Sequence, residues 1–307
     1  MRNLVTNFIV LFLFSTSLAF SQTPLKGSGD IAHLKAKINS YDEAKMAAIT
    51  ELFPNATPKA LADAMQETGF LKNGEKYVPA INEPNNGCVG GGIGRGVGYL
   101  GNMGKGIDVS DESSDPSLGQ EITDEILERL KKAGLFNDNG TTGKPTQWGE
   151  IKRGVTHDKQ RDIGRDIDTY VFDFPEKSGT PSSETSASYK QPKNIPDALK
   201  TIAKALKNGH VVEYRMDNGT GCGATSFHFA LAYRMVEFKG FDGLYGLSFV
   251  DDGADDGESG QGNGKAENYE RGVYIFDKDG KCLNAPGVKI THFFVEKFKG
   301  NSTQKRK

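Results

Sequence analysis

The sequence lacks the features that mark several large classes of protein. Its 38 lysines and arginines are balanced by 40 aspartates and glutamates, so no basic excess is available to neutralise a nucleic-acid backbone. No Gly-X-Y period is present, which excludes a collagen-like chain. Beyond the N-terminus no stretch approaches 18 consecutive apolar residues, so no later segment is predicted to span a membrane. The 307 residues therefore predict a globular protein with a sizeable core.

The N-terminus has the pattern of a secretory signal peptide. A cationic start at Arg2 precedes an apolar run over residues 8–20, and Ala19-Phe20-Ser21 fits the small-x-small cleavage pattern. We expect residues 1–21 to be removed and the mature protein to be secreted or periplasmic. An uncleaved membrane anchor is the alternative.

Cysteine is scarce, and its count is odd. The chain has three cysteines, so at least one is expected to stay unpaired in an oxidising compartment. Cys222 and Cys282 both lie in the strand-rich second half, whereas Cys88 stands alone among glycines. The simplest pairing joins Cys222 to Cys282 and leaves Cys88 free. A buried structural Cys88, or a disulfide between Cys88 and Cys222, is the alternative.

Glycine is the residue in excess, and the excess is local. Residues 87–106 hold 10 glycines in 20 positions, and residues 253–264 hold five in 12. Gly90, Gly94 and Gly98 are four residues apart, so a helix here would present a smooth groove for close backbone packing. The other interpretations are a long flexible loop and a backbone-lined cleft that admits an extended substrate.

Two motif-like patterns among these glycines do not predict a cofactor or a metal site. Gly96-x-Gly98-x-x-Gly101 has the form of a dinucleotide fingerprint, but no predicted strand precedes it. Residues 251–258 gather carboxylates, but Ala254 occupies a position that an EF-hand needs for a ligand. Weak Ca²⁺ binding and a solvated acidic loop are the two interpretations of that segment, and we expect the loop.

The order of predicted elements indicates an α+β fold. Apolar periodicity predicts helices over residues 41–53, 57–69, 122–133 and 197–206. Strands follow over residues 211–216, 227–238, 245–250, 272–276 and 288–298. The predicted organisation is a helical N-terminal segment at residues 22–80 (docked or a propeptide), a main domain at residues 81–299 with an antiparallel meander, and a basic tail at residues 300–307.

Three residues occur in the order that cysteine catalysis requires. Such catalysis needs a thiolate, an imidazole and usually a polar group that orients the imidazole. Cys88 precedes a segment with helical spacing, His228 lies in a predicted strand, and Asp251 follows the next strand. Asp252 would replace Asp251 after a shift of one residue in strand register. Cys222, six residues before His228, is the rival nucleophile.

These pieces resemble the papain-like cysteine peptidases, and within them the C39-like (double-glycine-leader) branch. In that family a Cys opens a helix, a His stands in a run such as His-Phe-x-Leu, and an Asp or Asn closes the next strand. The matching pieces are Gly87-Cys88, His228-Phe229-Ala230-Leu231 and Asp251, over residues 81–255. The resemblance implies that Asn82, six residues before Cys88, completes the oxyanion hole where the family has a Gln.

The resemblance and the residue order together predict an exported hydrolase. Cys88 would attack a peptide or amide carbonyl of a peptide or peptidoglycan-like substrate, and His228 would act as general base and then acid. No cofactor, metal or nucleic acid is expected. The alternative is a catalytically inactive or toxin-like secreted binding module that uses the glycine-rich segment for partner or membrane contact.

Overall fold

A central antiparallel sheet with helices on both faces forms the framework of the protein. The computed structural model describes residues 31–84, 86–109, 117–174, 189–217, 227–251, 269–270 and 272–299. The helices are α1 Ala32–Asn39, α2 Glu43–Leu52, α3 Pro58–Ala64, α4 Gly74–Tyr77, α5 Cys88–Lys105, α6 Ser117–Lys132, α7 Pro145–Asp158, α8 Gln160–Ile163 and α9 Ile195–Lys207. The strands are β1 Met65–Phe70, β2 Phe136–Asn137, β3 Gly140–Thr141, β4 Ile167–Asp173, β5 Val211–Asp217, β6 Phe227–Phe238, β7 Tyr245–Asp251, β8 Tyr269–Glu270, β9 Tyr274–Phe276 and β10 Lys289–Phe298. The predicted signal peptide and basic tail lie outside the described residues.

The sheet follows the order β4-β10-β5-β6-β7-β8, with antiparallel pairing throughout. Strand β1 pairs with the second half of β6, and β9 pairs with β7. The expected α+β class with an antiparallel sheet is confirmed. The prediction of a meander is wrong, because the last strand, β10, lies between β4 and β5 and does not extend the edge of the sheet.

The two faces of the sheet carry different helices. On one face Gly92 of α5 lies against Phe229, and Gly149 of α7 lies against Val171. The other face is covered by α9, whose Leu199 is buried in one cluster with sheet residues such as Tyr214. Since successive residues of a strand point to opposite faces, this division decides which strand residues can face α5.

The N-terminal helices α1 to α3 pack against the far end of the sheet. Leu34 and Ile49 are fully buried in a cluster that includes Phe238 and Ile275 of the sheet. The Tyr41 hydroxyl donates to the Val273 carbonyl oxygen at 3.2 Å. This helical segment therefore shares its core with strands from the second half of the chain.

Helix α3 begins where the sequence indicates but ends earlier. The Thr57 side chain accepts a hydrogen bond from the Ala60 amide at 3.1 Å, which is the predicted N-cap. The helix predicted to run to Gly69 instead stops at Ala64, and β1 follows. Gly69 pairs with Met235 of β6, so pairing at the sheet edge replaces the last turn of the predicted helix.

Helix α5 contains the glycine-rich segment and is buried along almost its whole length. Every residue from Cys88 to Asn102 is buried. The interpretation of this segment as a flexible loop is therefore wrong. Among the described residues no helix is both long and apolar enough to cross a bilayer.

The glycines of α5 allow close contact with α6. A Cβ atom on Gly90 would lie 2.6 Å from Cγ of Leu127. A Cβ atom on Gly94 would overlap the Thr123 hydroxyl and lie 2.7 Å from the Gly119 carbonyl oxygen. Since real side chains do not approach so closely, the two helices can pack at this distance only because both positions lack a side chain.

A second side of α5 is covered by the chain that leads into it. A Cβ atom on Gly98 would lie 2.6 Å from Cγ of Pro79, and one on Gly91 would lie 2.6 Å from Cδ of Glu83. The groove predicted from the glycine spacing is therefore present, but residues of the same chain fill it. The interpretation as an open substrate cleft along α5 is wrong for this reason.

We predict that Gly94→Ala lowers the free energy of unfolding by about 1–3 kcal/mol, the usual cost of overpacking a core. Gly154→Ala in α7 is the matched control, because its new Cβ would lie 3.0 Å from only the flexible end of Arg129. In that helix alanine is favoured over glycine by up to about 1 kcal/mol, so the control should keep or gain stability. Urea unfolding measures both, and equal stabilities for the two variants would contradict the close packing of α5 on α6.

Candidate functional site

Cys88 is the first residue of α5, directly after the N-cap residue Gly87. Its side chain has no exposed surface and lies in an apolar cluster with Trp148, Phe227 and Phe229. Cys88 is disulfide-bonded. In this form its sulfur can neither ionise nor attack a carbonyl, although the helix start is the position that favours a thiolate.

The cysteine pairing predicted from the sequence is wrong. Cys282 is a free thiol with 1% of its surface exposed, and its Sγ donates to Asn284 Oδ1 at 3.5 Å. Burial raises the pKa of Cys282 to about 12, so this thiol is held protonated and inert near neutral pH. Cys222, the remaining cysteine of the chain, lies outside the described residues. Cys222 and Cys282 both lie in the second half of the chain, but this does not predict a disulfide between them. Cys282 is buried and unpaired in the hairpin that follows β9, where it bridges to Phe276.

His228 lies near the start of β6, on the opposite face of the sheet from α5. Its neighbours Phe227 and Phe229 place their rings 5.3 Å and 6.0 Å from the Trp148 ring of α7. The side chain of His228 points the other way, with its ring 5.9 Å from that of Phe249. The structure therefore does not bring the imidazole of His228 to the side of the sheet on which Cys88 is buried.

The surroundings of His228 are aromatic. Tyr214 and Tyr274 contact the same Phe249 ring, with centroids 6.3 Å and 5.5 Å from it. His228 is only 4% exposed. Asp251, predicted to follow strand β7, is the last residue of that strand, and its Cα is paired with Tyr269. Asp252 lies outside the residues described.

Asn82 lies in the chain that approaches α5, and its side chain is exposed. Its backbone is held by Gln120 of α6, whose Oε1 accepts from the Asn82 amide at 2.8 Å. The adjacent Glu83 points inward instead, and Arg95 of α5 donates to its Oε2 at 2.9 Å. Both members of this ion pair are buried, since Glu83 is 9% exposed and Arg95 1%. Glu83, the residue next to Asn82, is therefore held in a buried ion pair with Arg95.

A buried charge cluster lies beneath α5, and the sequence does not predict it. Lys152 of α7 donates to both carboxylate oxygens of Glu213 at 2.7 Å and 2.6 Å and forms an ion pair with Glu296. All three side chains are fully buried. Gly96 provides the space, because a Cβ atom there would overlap Glu213. No sequence pattern marks the cluster, since its members come from a helix and two strands far apart in the chain.

The cluster holds two carboxyl groups but only one lysine, and the pKa of Glu213 is shifted as a result. Burial raises the pKa of Glu213 to about 8, with the negative charge of Glu296 acting in the same direction and Lys152 opposing both effects. Within the ranges that the structure describes, no group of three or more His, Cys, Asp or Glu side chains could hold a metal ion. The acidic residues 252–258 are outside those ranges.

The raised pKa of Glu213 predicts a pH-dependent stability. The folded state binds more protons than the unfolded state between pH 4.5 and about 8, so the free energy of unfolding should fall as the pH rises through this window. Glu213→Gln should flatten the profile, because the side chain can no longer ionise. Glu121→Gln, which removes a partly exposed partner of Lys159, is the control and should keep the wild-type slope. Urea unfolding at several pH values tests this, and parallel profiles for wild type and Glu213→Gln would contradict it.

The cysteine chemistry predicts the outcome of peptide mapping without reduction. Cys282 should take up an alkylating reagent only after denaturation, because it is buried and protonated, whereas Cys88 should stay unlabelled until a reductant is added. Without reduction, the peptide that contains Cys88 should be recovered cross-linked to a second cysteine-containing peptide. Mass spectrometry identifies it, and a labelled Cys88 without reduction would contradict the assignment.

Comparison with known proteins does not assign this chain to a family. The chain matches no protein-family model and no curated protein at a significant level.

Proposed function

We propose that this protein is an exported binding module of papain-like α+β fold in which Cys88 stabilises the fold and does not attack a peptide bond. The observation that carries the proposal is the separation of the two reactive side chains. Cys88 is buried in the apolar cluster that includes Trp148 on one face of the sheet, and His228 contacts Phe249 on the other.

The papain-like part of the proposal is supported by the positions of the elements. A long helix that begins with Cys88 packs on an antiparallel sheet, and His228 lies near the start of a strand. Asp251 closes the strand that pairs with it. These are the elements on which the resembled family carries its nucleophile, imidazole and carboxylate, although His228 faces the other side of its strand.

Export is supported by the cysteine chemistry as well as by the N-terminal sequence. Disulfides form and persist in oxidising compartments such as the periplasm and the extracellular space. Cys88 is disulfide-bonded, and the sequence before residue 22 has the pattern of a signal peptide. Both observations favour a secreted or periplasmic protein.

The glycine-rich segment is not suited to be the binding surface. The buried stretch of α5 from Cys88 to Asn102 offers no face to a partner or a membrane. A binding surface is therefore expected elsewhere on the protein, on side chains that solvent can reach.

Hydrolysis by Cys88 is the competing function, and one feature favours it. Once reduced, a thiol at the first position of an 18-residue helix would be acidified by the helix dipole. Catalysis would further require His228 to reach the Cys88 side of β6. The geometry of the described residues favours the binding module.

A hydrolysis assay with matched cysteine variants separates the two functions. The mature protein is incubated with a peptide library and with peptidoglycan, before and after mild reduction, together with Cys88→Ala and Cys282→Ala. We expect no thiol-dependent cleavage in any sample, because Cys88 is buried and His228 faces away. We also expect Cys88→Ala to lower the melting temperature, since loss of a native disulfide typically costs about 2–5 kcal/mol.

One result would overturn the proposal. Cleavage that appears on reduction, persists in Cys282→Ala and disappears in Cys88→Ala would establish Cys88 as a nucleophile. An unchanged melting temperature for Cys88→Ala would independently contradict its structural role.

A further inference from the structure

A cleft beside helix α9 lies apart from Cys88 and His228. Its volume is about 440 Å³, within the range of small-molecule sites. One wall is the exposed side of α9, and the other is the chain that approaches this helix, residues 189–193. The cleft is formed whether or not Cys88 reacts, so ligand binding in it does not depend on the proposed function.

The charge of this cleft contrasts with that of the whole chain. Four lysines line it, Lys190, Lys193, Lys200 and Lys204, and Asp197 is the one acidic residue among its described lining residues. The whole chain has a formal net charge of -2. Among the described acidic residues none forms an ion pair with these lysines. Positive potential is therefore concentrated in a concave surface, the arrangement that attracts anions.

Helix α9 holds two of these lysines in a fixed relation. Asn194 caps its first turn by accepting from the Asp197 amide at 2.9 Å, and Leu199 and Ile202 anchor its inner face in the core. Lys200 and Lys204 are one helical turn apart, which places their Cβ atoms about 6 Å from each other. Two ammonium groups can thus reach two anionic groups at a similar spacing.

The opposite wall is held in place by Tyr189. Its ring lies 5.7 Å from Lys204 Nζ, and its hydroxyl is 2.6 Å from Nδ1 of His210. Burial raises the pKa of Tyr189 to about 12 and lowers the pKa of His210 to about 4. Near neutral pH the hydroxyl is therefore protonated and donates to a neutral imidazole, which fixes the aromatic wall beside the lysines.

An amphipathic helix often carries lysines on its solvent face without any ligand. This site differs because the lysines come from two segments that face each other across a cleft, and because an aromatic ring orients one of them. We propose that the cleft binds a small multivalent anion whose phosphate or carboxylate groups are spaced about one helical turn apart. The lysines would each contribute a charge-assisted hydrogen bond.

Isothermal titration calorimetry with the mature protein tests the proposal. Tripolyphosphate probes recognition of phosphate, and citrate probes recognition of carboxylate. The double variant Lys200→Gln/Lys204→Gln should weaken the binding of the better probe by about tenfold or more, the loss of two charge-assisted contacts. Asp197→Asn should strengthen binding, because it removes a negative charge from the lining.

Lys207→Gln is the matched control, since Lys207 is an exposed lysine of the same helix that does not line the cleft. It should leave the affinity within about twofold, because a distant surface charge is screened by salt. Failure of both probes to bind at millimolar concentration would overturn the proposal. Equal weakening by Lys207→Gln and the double variant would also overturn it, because a general attraction to a basic surface would then suffice. Neither result bears on whether Cys88 hydrolyses a substrate.

Discussion

Helix α5 is approached so closely by its neighbours that its glycines determine how helix α6, the sheet and residues 79–84 can pack. Helix α6, the sheet and residues 79–84 each meet α5 at glycines, where a Cβ atom would have no room. Each interior glycine costs roughly 0.5–1 kcal/mol relative to alanine in an isolated helix. Helix α5 is therefore stable only because three neighbours pack around it. Those neighbours cannot move closer without a clash, and they lose the contact if they move away.

The same glycines decide where charge can be buried. Gly91 leaves space for the carboxylate of Glu83, which binds Arg95, and Gly96 leaves space for Glu213, which binds Lys152. Removing one partner of the Glu83–Arg95 ion pair leaves an uncompensated buried charge, which typically costs about 3–5 kcal/mol. A side chain at either glycine would push aside the carboxyl group that lies against it, so the packing of α5 and the polar contacts beneath it depend on the same positions.

Elements with local signals can be predicted from the sequence, and elements defined by distant contacts cannot. The cap at Thr57 and the amphipathic helix α9 are encoded in adjacent residues, and both are present. Helix α7 escapes prediction because its inner face carries Lys152 and Gly149 where an apolar period needs large hydrophobic residues. Strand β1 has a helix-like local pattern, and only its pairing with the distant β6 makes it a strand. Cys88 begins a helix and His228 lies in a strand as expected, but which face of the sheet His228 occupies depends on sheet packing.

The burial of α5 also bears on chemistry at its first residue. A nucleophile needs a helix start that faces solvent and a base on the same side, because substrate must reach both groups. The packing that stabilises the glycine-rich helix encloses its N-terminus, where Gly87 lies against Pro84 and Cys88 is fully buried in an apolar cluster. A side chain that substrate cannot reach gains nothing from the helix dipole as a nucleophile, whereas a covalent link there can hold the helix start in place. The constraint that shapes the fold thus favours a structural role for Cys88 over a catalytic one, and the anion binding that we propose would take place elsewhere, at the exposed lysines beside α9.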